Sequence, residues 1–342
     1  MRVGISINGQ GRGHLTRMTA VGQILAKEHE LIFWCPHRYH DSLRSSFPKS
    51  LLFDIPYYKF VFSEDKIDYI KTGVSNVENL VGSFTLNRDL ADQLRLTAPD
   101  VLISDFEPFL PRAAKKAGIP VIQLNHPAVV LKSPVFTPEA LLSKIAALSM
   151  MGEYDVKLIS SFYDGDIGPI IRPEIRDAVV SRGDHFLVYV SPSMRDSTIA
   201  EMKRSGIHNF RLFPDPKDDF VEALTSCKGI ITNAGHQLLS EALHLKKPVL
   251  SIPFEGQFEQ RLNAEMLKKS GRGIAGTSST LRDDLHRFRR FLEETPAVHN
   301  PAAGEENFTR FCLGDDSENA VALLNRHIYR FRVDSPVYNL SL

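Results

Sequence analysis

The chain has little cysteine: three residues in 342, at Cys35, Cys227 and Cys312. They lie far apart, are odd in number and form no Cys-x-x-Cys pair, which argues against a disulfide framework and a thiolate zinc site and fits a reducing compartment. Charge of one sign is not in excess either. Lys+Arg and Asp+Glu both number 41, giving a formal net charge of zero, whereas a protein that lives on phosphate contacts with nucleic acid carries a basic surplus. No stretch approaches the ~20 apolar residues that span a bilayer. The start, Met1 to Ile7, lacks the apolar core and cleavage region of a signal peptide. Repeats and low-complexity tracts are also missing. These absences predict a cytoplasmic protein, at most peripheral to the inner face of the membrane, with no nucleic-acid partner.

What is present is an alternation of short β-branched apolar runs with amphipathic segments, the βαβα pattern of parallel sheets covered by helices. Hydrophobic residues make up 43% and charged residues 24%, the balance of a globular protein long enough for two domains. Strands are predicted at Val3–Ile7, Leu31–Cys35, Leu51–Ile55, Val101–Ser104, Val121–Asn125 and Val156–Ser160. Helices are predicted near Leu15–Lys27, Asn76–Leu96, Pro108–Ala117 and Pro138–Met151. A Gly/Pro-rich crossing, Gly165 to Pro173, reads as a linker, and after Gly183 the pattern restarts. Strands follow at Phe186–Val190, Phe210–Phe213, Gly229–Thr232 and Val249–Ile252, with helices at Thr198–Ser205, Asp219–Ser226, Gln237–Leu245 and Gln257–Lys269. Leu281–Leu292 and Ser317–Arg330 read as closing helices. The expectation is two facing Rossmann-like lobes, residues 1–165 and 184–330, joined by a linker at 166–183 and followed by a tail at 331–342.

The loop Asn8-Gly9-Gln10-Gly11-Arg12-Gly13-His14 lies between a strand and a helix. Glycines let backbone approach a ligand there, and a helix N-terminus favours anions. A dinucleotide fingerprint would need glycine where His14 stands, and the second strand ends in Cys35-Pro36 rather than an acidic residue, so an NAD enzyme is disfavoured. His14, at the first helical turn, is a candidate general base, since the dipole there favours a neutral imidazole. A histidine that only caps the turn is the alternative reading. Asp105 ends the apolar strand Val101–Ser104 on the side where strand ends line a crevice, so it is a candidate to orient His14. It could equally N-cap the segment beginning near Glu107, itself a competitor for the orienting role.

In the second half, Thr232-Asn233-Ala234-Gly235-His236-Gln237 takes a strand through a small-residue turn into a helix, a shape that offers backbone N–H groups to phosphate. Glu241 follows within that helix, placed to accept from ribose hydroxyls. The strand around Lys247–Pro253 then leads to Glu259, Gln260, Asn263 and Ala264, polar groups at a helix start suited to sugar hydroxyls.

In this arrangement the chain resembles the inverting GT-B glycosyltransferases, the group of the plant and macrolide UDP-sugar transferases, MurG and the diacylglycerol galactosyltransferases. Gly13-His14 is similar to the pair carrying their catalytic base, and Asp105 with the downstream Gly118-Ile119-Pro120 to their orienting aspartate and its next strand. Asn233 through Glu241, with Ala234, Gly235, His236 and Gln237, is similar to their diphosphate loop and ribose-binding glutamate. Glu259-Gln260 is similar to their sugar-contacting pair, and Gly168-Pro169-Ile170 to their crossover between lobes. Asn233, His236 and Glu259 stand where the plant enzymes have histidine, tryptophan and aspartate, which separates this chain from the plant subgroup and brings it nearer to short prokaryotic members.

The resemblance implies transfer of a sugar from a nucleotide-sugar donor, UDP-linked, to an acceptor hydroxyl of a glycan, lipid or small molecule, with inversion and with no metal or other cofactor. Gly11, Arg12, Gly13, Ser191 and Ser193 are placed as donor-phosphate contacts, with ordinary turn residues an equal reading for the two serines; Phe213 is a candidate for the border of the nucleobase pocket, with a buried core phenylalanine the default; His37 and His126 are placed on the acceptor side. Retaining GT-B enzymes carry a fixed pair of glutamates in the second lobe, a spacing that Glu241 and Glu255 do not show. A sugar-nucleotide 2-epimerase and a non-catalytic nucleotide-sugar-binding protein are the rival readings. Asp164-Gly165-Asp166 has the spacing of a cation-binding Asp-x-Asp but reads as a solvated turn in the linker. His37 and His40, three apart, show no carboxylate partner in the sequence and read as surface histidines beside an acceptor pocket. The apolar stretch Lys144–Met151 reads as core or as a lobe-facing lid, with lipid contact as the alternative.

Overall fold

The computed structural model describes residues 1–342 except 60, 64–65, 68, 77–82, 295–309 and 334–342. The first half forms β1 (Arg2–Ile7), β2 (Glu30–Cys35), β3 (Leu51–Asp54), a small antiparallel hairpin of β4 (Phe62–Ser63) and β5 (Lys66–Ile67), β6 (Val101–Asp105), β7 (Val121–Asn125) and β8 (Val156–Ile159). Among the described residues these strands, without the hairpin, make a six-stranded parallel sheet in the order β3-β2-β1-β6-β7-β8. Ile5 pairs with Phe33 on one side and Ile103 on the other, and all three are closed to solvent. Each such side chain taken from water contributes about 2 kcal/mol, which is why these runs do not alternate with polar residues.

The second half forms β9 (Phe186–Tyr189), β10 (Phe210–Phe213), β11 (Gly229–Thr232), β12 (Val249–Ser251) and β13 (Gly273–Ala275). They form a parallel sheet in the order β10-β9-β11-β12-β13. In both sheets the strand order reverses once, between β1 and β6 in the first and between β9 and β11 in the second. At such a reversal the connections leave in opposite directions and open a crevice at the carboxyl ends of the strands. The glycine loop follows β1 and Asp105 ends β6; Ser191 follows β9 and Asn233 follows β11. The fold therefore puts the motifs singled out in the sequence at the two crevices.

The predicted strands fall within about two residues of those observed, and the Pro138–Met151 helix matches at both ends. The helix expected at Thr198 starts at Pro192, after Ser191, because proline suits a first helical turn. The helix expected over Asn76–Leu96 is described over Ser83–Thr97, and residues 77–82 lie outside the described residues. The closing helix Ser317–Val333 packs on the first sheet's layer: Ala320, Val321, Leu324 and Ile328 join the core built from Val3, Leu15 and Val21. The sequence-based division, which puts residues 184–330 in one lobe, does not follow this core. Of the expected tail, residues 334–342 lie outside the described residues.

Candidate active site

The crevice of the first sheet holds a triad of His14, Asp105 and Arg17. His14 Nδ1 lies 3.0 Å from Asp105 Oδ1. Arg17, one turn further along the Gly13–Leu25 helix, donates from Nε to Asp105 Oδ2 at 3.1 Å and from one terminal nitrogen to both oxygens at 2.6 and 2.8 Å. Asp105 and Arg17 are buried, whereas His14 keeps 13% of its side-chain surface open. Burial alone would raise the Asp105 carboxyl; the charges of Arg17 and then His14, with their hydrogen bonds, outweigh it and hold the group below its ordinary value. A nitrogen of Arg17 also stands 3.2 Å from His14 Nδ1. The Asp105 carboxylate can only accept, so its 3.0 Å contact places the His14 proton on Nδ1 and, in the neutral ring, leaves Nε2 with its lone pair as the acceptor.

Local backbone sets this geometry. Asn8 donates from Nδ2 to Phe106 O at 2.5 Å and accepts from Gln10 N at 2.7 Å, tying the glycine loop to the end of β6. Phe106 has φ +57, a left-handed conformation costing a bulky residue about 1–3 kcal/mol, and its ring lies parallel to that of His14 at 6.4 Å. The capping alternative for Asp105 fails for a concrete reason: Glu107 does that work, accepting from Phe109 N at 2.6 Å and Leu110 N at 2.9 Å. Burial pushes Glu107 up to about 7.

The second lobe meets this triad directly. A Cβ on Gly13 would come within 3.2 Å of the Gln237 Cβ, so the two helix starts face each other at contact distance. Gly235 is exposed with open space around it, and the His236–His244 helix begins just beyond. Arg12 and Gly11 are exposed at the same junction. Glu259 is raised by burial, against the opposing charges of His14 and Arg17.

Several residues read from the sequence as ligand contacts are engaged with the protein instead. Asn233 accepts from Ser191 N at 2.8 Å and donates to Ile252 O at 2.9 Å, which fixes the turn that presents Ala234 and Gly235. Gln260 accepts from Phe254 N at 3.1 Å. Phe213 is buried in the core with Phe220 edge-on at 5.3 Å, in keeping with its default reading as a core residue. Glu241 is buried and receives Arg172 at 3.0 Å and Gln237 at 3.2 Å, so its carboxylate is not free for a ribose without rearrangement. Ser191 and Ser193 share a hydrogen bond of 2.8 Å beside the start of the Pro192–Arg204 helix.

His126 and His236 are engaged with the protein more fully still. Their rings stack across the lobes at 3.5 Å, 1% and 6% exposed. His126 Nε2 meets Asn263 Oδ1 at 3.0 Å, and His236 Nε2 accepts from Phe162 N at 3.3 Å. Burial first, then nearby cationic groups, pushes His126 down to about 3 and His236 well below its ordinary value. Tyr163 donates to the same Asn263 oxygen at 2.6 Å, and Asn263 donates to Ala234 O at 3.0 Å. The ring nitrogens His126 Nε2 and His236 Nε2 are thus taken up by protein groups, and both rings lie buried at the lobe junction.

The Asp164–Asp166 turn is a structural element: Asp164 accepts from Arg310 N at 2.9 Å, and Asp166 takes Lys132 and Ile159 N at 2.8 Å. His37 and His40 do have a carboxylate partner, Asp54, brought by β3. On the Pro138–Met151 helix, Leu141, Leu142, Ile145 and Leu148 are all more than half exposed, so that face is neither core nor closed against the second lobe. Among the described residues no helix is long and apolar enough to cross a membrane. Arg17, Arg172, Tyr163 and Asn263 are the residues with roles in this junction that motif reading passed over or underweighted. Arg17 had one signal, a position three after His14 on the same helical face.

Comparison with known proteins fits this geometry. Solved structures share the fold over nearly the whole length: Medicago truncatula UGT71G1 complexed with UDP-glucose has a TM-score of 0.59 at 14% identity, covering 96% of this chain and 98% of that one. The calicheamicin glycosyltransferase CalG4 has a TM-score of 0.56 at 14% identity, covering 96% and 99%. An uncharacterized glycosyltransferase of Methanosarcina acetivorans is 30% identical over 145 residues, 42% of this chain. The chain thus spans about a third of that relative's length, 36%. The model of glycosyl transferase family 1 matches residues 1–296. With two parallel sheets whose crevices face each other across a histidine–aspartate pair, the chain belongs to glycosyl transferase family 1 and has the GT-B fold.

Proposed function

We propose that this protein transfers a sugar from a nucleotide-sugar donor, UDP-linked, to an acceptor hydroxyl with inversion at the anomeric carbon. The observation that carries the reading is the His14–Asp105 pair of 3.0 Å on a glycine loop in contact with the second lobe's helix start at Gln237. His14 Nε2 takes the acceptor's hydroxyl proton as its oxygen attacks the anomeric carbon. The bond from that carbon to the diphosphate breaks, and the nucleoside diphosphate leaves with the electron pair. Asp105 holds the imidazole and supports the charge it acquires. Arg12, the backbone around Gly235 and the dipole of the His236–His244 helix stabilise the leaving group, a role in which no metal ion is required.

UGT71G1, solved with UDP-glucose, supports a UDP-linked donor. The test is UDP release from a panel of UDP-, dTDP- and GDP-sugars with hydroxyl acceptors, alongside thermal shifts by the same donors. UDP release that depends on acceptor and on His14 is expected. Turnover indifferent to His14→Ala removes His14 as the base.

A further inference from the structure

The carboxyl edge of β2 and β3 carries a cluster outside the crevice just described. His37 Nδ1 stands 3.3 Å from Asp54 Oδ1, and His40 Nε2 stands 3.1 Å from the same oxygen. The potential ligand atoms lie within 4.8 Å of one another. The cluster arises because Cys35, ending β2, pairs with Asp54 ending β3, and the two histidines follow Cys35 in the next turn. His40 Nε2 is closed to solvent and makes no hydrogen bond among the described residues, although Asp54 is near. Its approach suits distance but not N–H alignment. Two imidazole nitrogens thus converge on one oxygen, and one of them is left without a hydrogen bond.

We propose that His37, His40 and Asp54 bind a divalent transition cation of the zinc class, and that the bound ion fastens the turn holding the glycine loop. A tetrahedral ion with nitrogen and oxygen ligands at about 2.0–2.1 Å sets its ligand atoms about 3.4 Å apart, close to the two separations from Asp54, 3.3 and 3.1 Å. Two imidazoles and one carboxylate select zinc, cobalt or nickel over magnesium and calcium, and a water takes the fourth position on this exposed edge. The link to the loop runs through the residues between the histidines. Arg38 donates to Gly9 O, and Tyr39 Oη donates to Gly11 O at 2.5 Å. The guanidinium also lies over the Tyr57 ring at 4.8 Å, and that ring packs on Gly9. An ion joining His37 and His40 to β3 immobilises Arg38 and Tyr39, and through them Gly9 to Gly11.

Zinc chloride titrated calorimetrically into metal-stripped, tag-free protein tests the site. About one ion per chain is expected, with magnesium not competing. His40→Ala and Asp54→Ala, both at the surface edge, should each weaken zinc by about tenfold or more while their circular dichroism is unchanged. Zinc should raise the Tm of the wild type but not of these variants. With zinc bound, amide exchange over residues 9–13 should slow. Absence of zinc uptake, or uptake undiminished in both variants, overturns the site; exchange unaltered at residues 9–13 in the loaded protein overturns the coupling.

Discussion

His14 and the His126–His236 pair are imidazoles at comparable places, each next to the end of a parallel strand or the start of a helix, and the two settings give them opposite chemistry. His14 has a carboxylate at 3.0 Å and a face open to solvent. The stacked pair is hydrogen-bonded by amide, carbonyl and hydroxyl groups, the Glu259 carboxylate stands back at 3.7 Å from His126 Nε2, and burial keeps both rings neutral. The His14 ring is hydrogen-bonded to a carboxylate at the edge of the crevice, whereas a proton placed on His126 would have to enter buried surroundings. Histidine type and position in the fold therefore do not make a base; a carboxylate within hydrogen-bond reach and an open face for the proton do.

The sharpest way to break this contrast is to remove each imidazole. His14→Ala should lower kcat by about 10³-fold with the nucleotide Kd within about twofold, measured by product formation and calorimetry. Asp105→Asn should lower kcat by a factor on the order of 10² to 10³ and also destabilise the fold by about 3–5 kcal/mol, because Arg17 is then a buried cation without its counter-charge. Urea unfolding reads that loss. The folded-state value of Asp105 is lowered from 3.8, so its contribution is present above that pH and lost as pH falls through the folded value. An asparagine variant as stable as the wild type at pH 7 would refute the ion-pair account.

The stacked pair should respond to acid instead. His126 falls from 6.5 to about 3 on folding, so its contribution is present above pH 6.5 and lost as pH drops from there towards 3. Over that interval the unfolded chain binds the proton and the native one does not, giving a slope of up to about 1.4 kcal/mol per pH unit. His126→Gln should flatten the wild-type dependence of urea midpoint on pH between 4 and 6.5; equal slopes would count against it. The smallest effect expected is from Glu107→Ala, which removes a cap worth about 1 kcal/mol and should leave kcat within twofold.

Most of the fold was legible because both-face burial writes itself into sequence: Val101-Leu102-Ile103 and Ile230-Ile231 can only be strands covered on two sides. β13 was missed because three residues, Gly273–Ala275, are too few to show periodicity. The pairing of His14 with Asp105 followed from strand ends converging at a reversal of strand order. Arg17 was not singled out, since an arginine within an amphipathic helix reads as solvated until packing shows it buried. Asn233 and Glu241 were assigned to ligand because motifs report residue type, not which neighbour takes the hydrogen bond first. Arg172, from a Gly/Pro-rich crossing, is such a neighbour for Glu241.

The return of the closing helix to the first sheet has a mechanical consequence. The outgoing segment at Gly168–Ile171 and the returning segment at Asp315–Asp316 lie side by side, stitched by Gly168 N to Asp316 at 2.6 Å, Ile171 N to Asp315 at 2.9 Å and Asp316 N to Pro169 O at 2.8 Å. A single tether would let one half swivel in any direction. Two hydrogen-bonded segments side by side resist twisting of one half against the other more than one segment would, which helps to keep Gly13 and Gln237 in register across the junction.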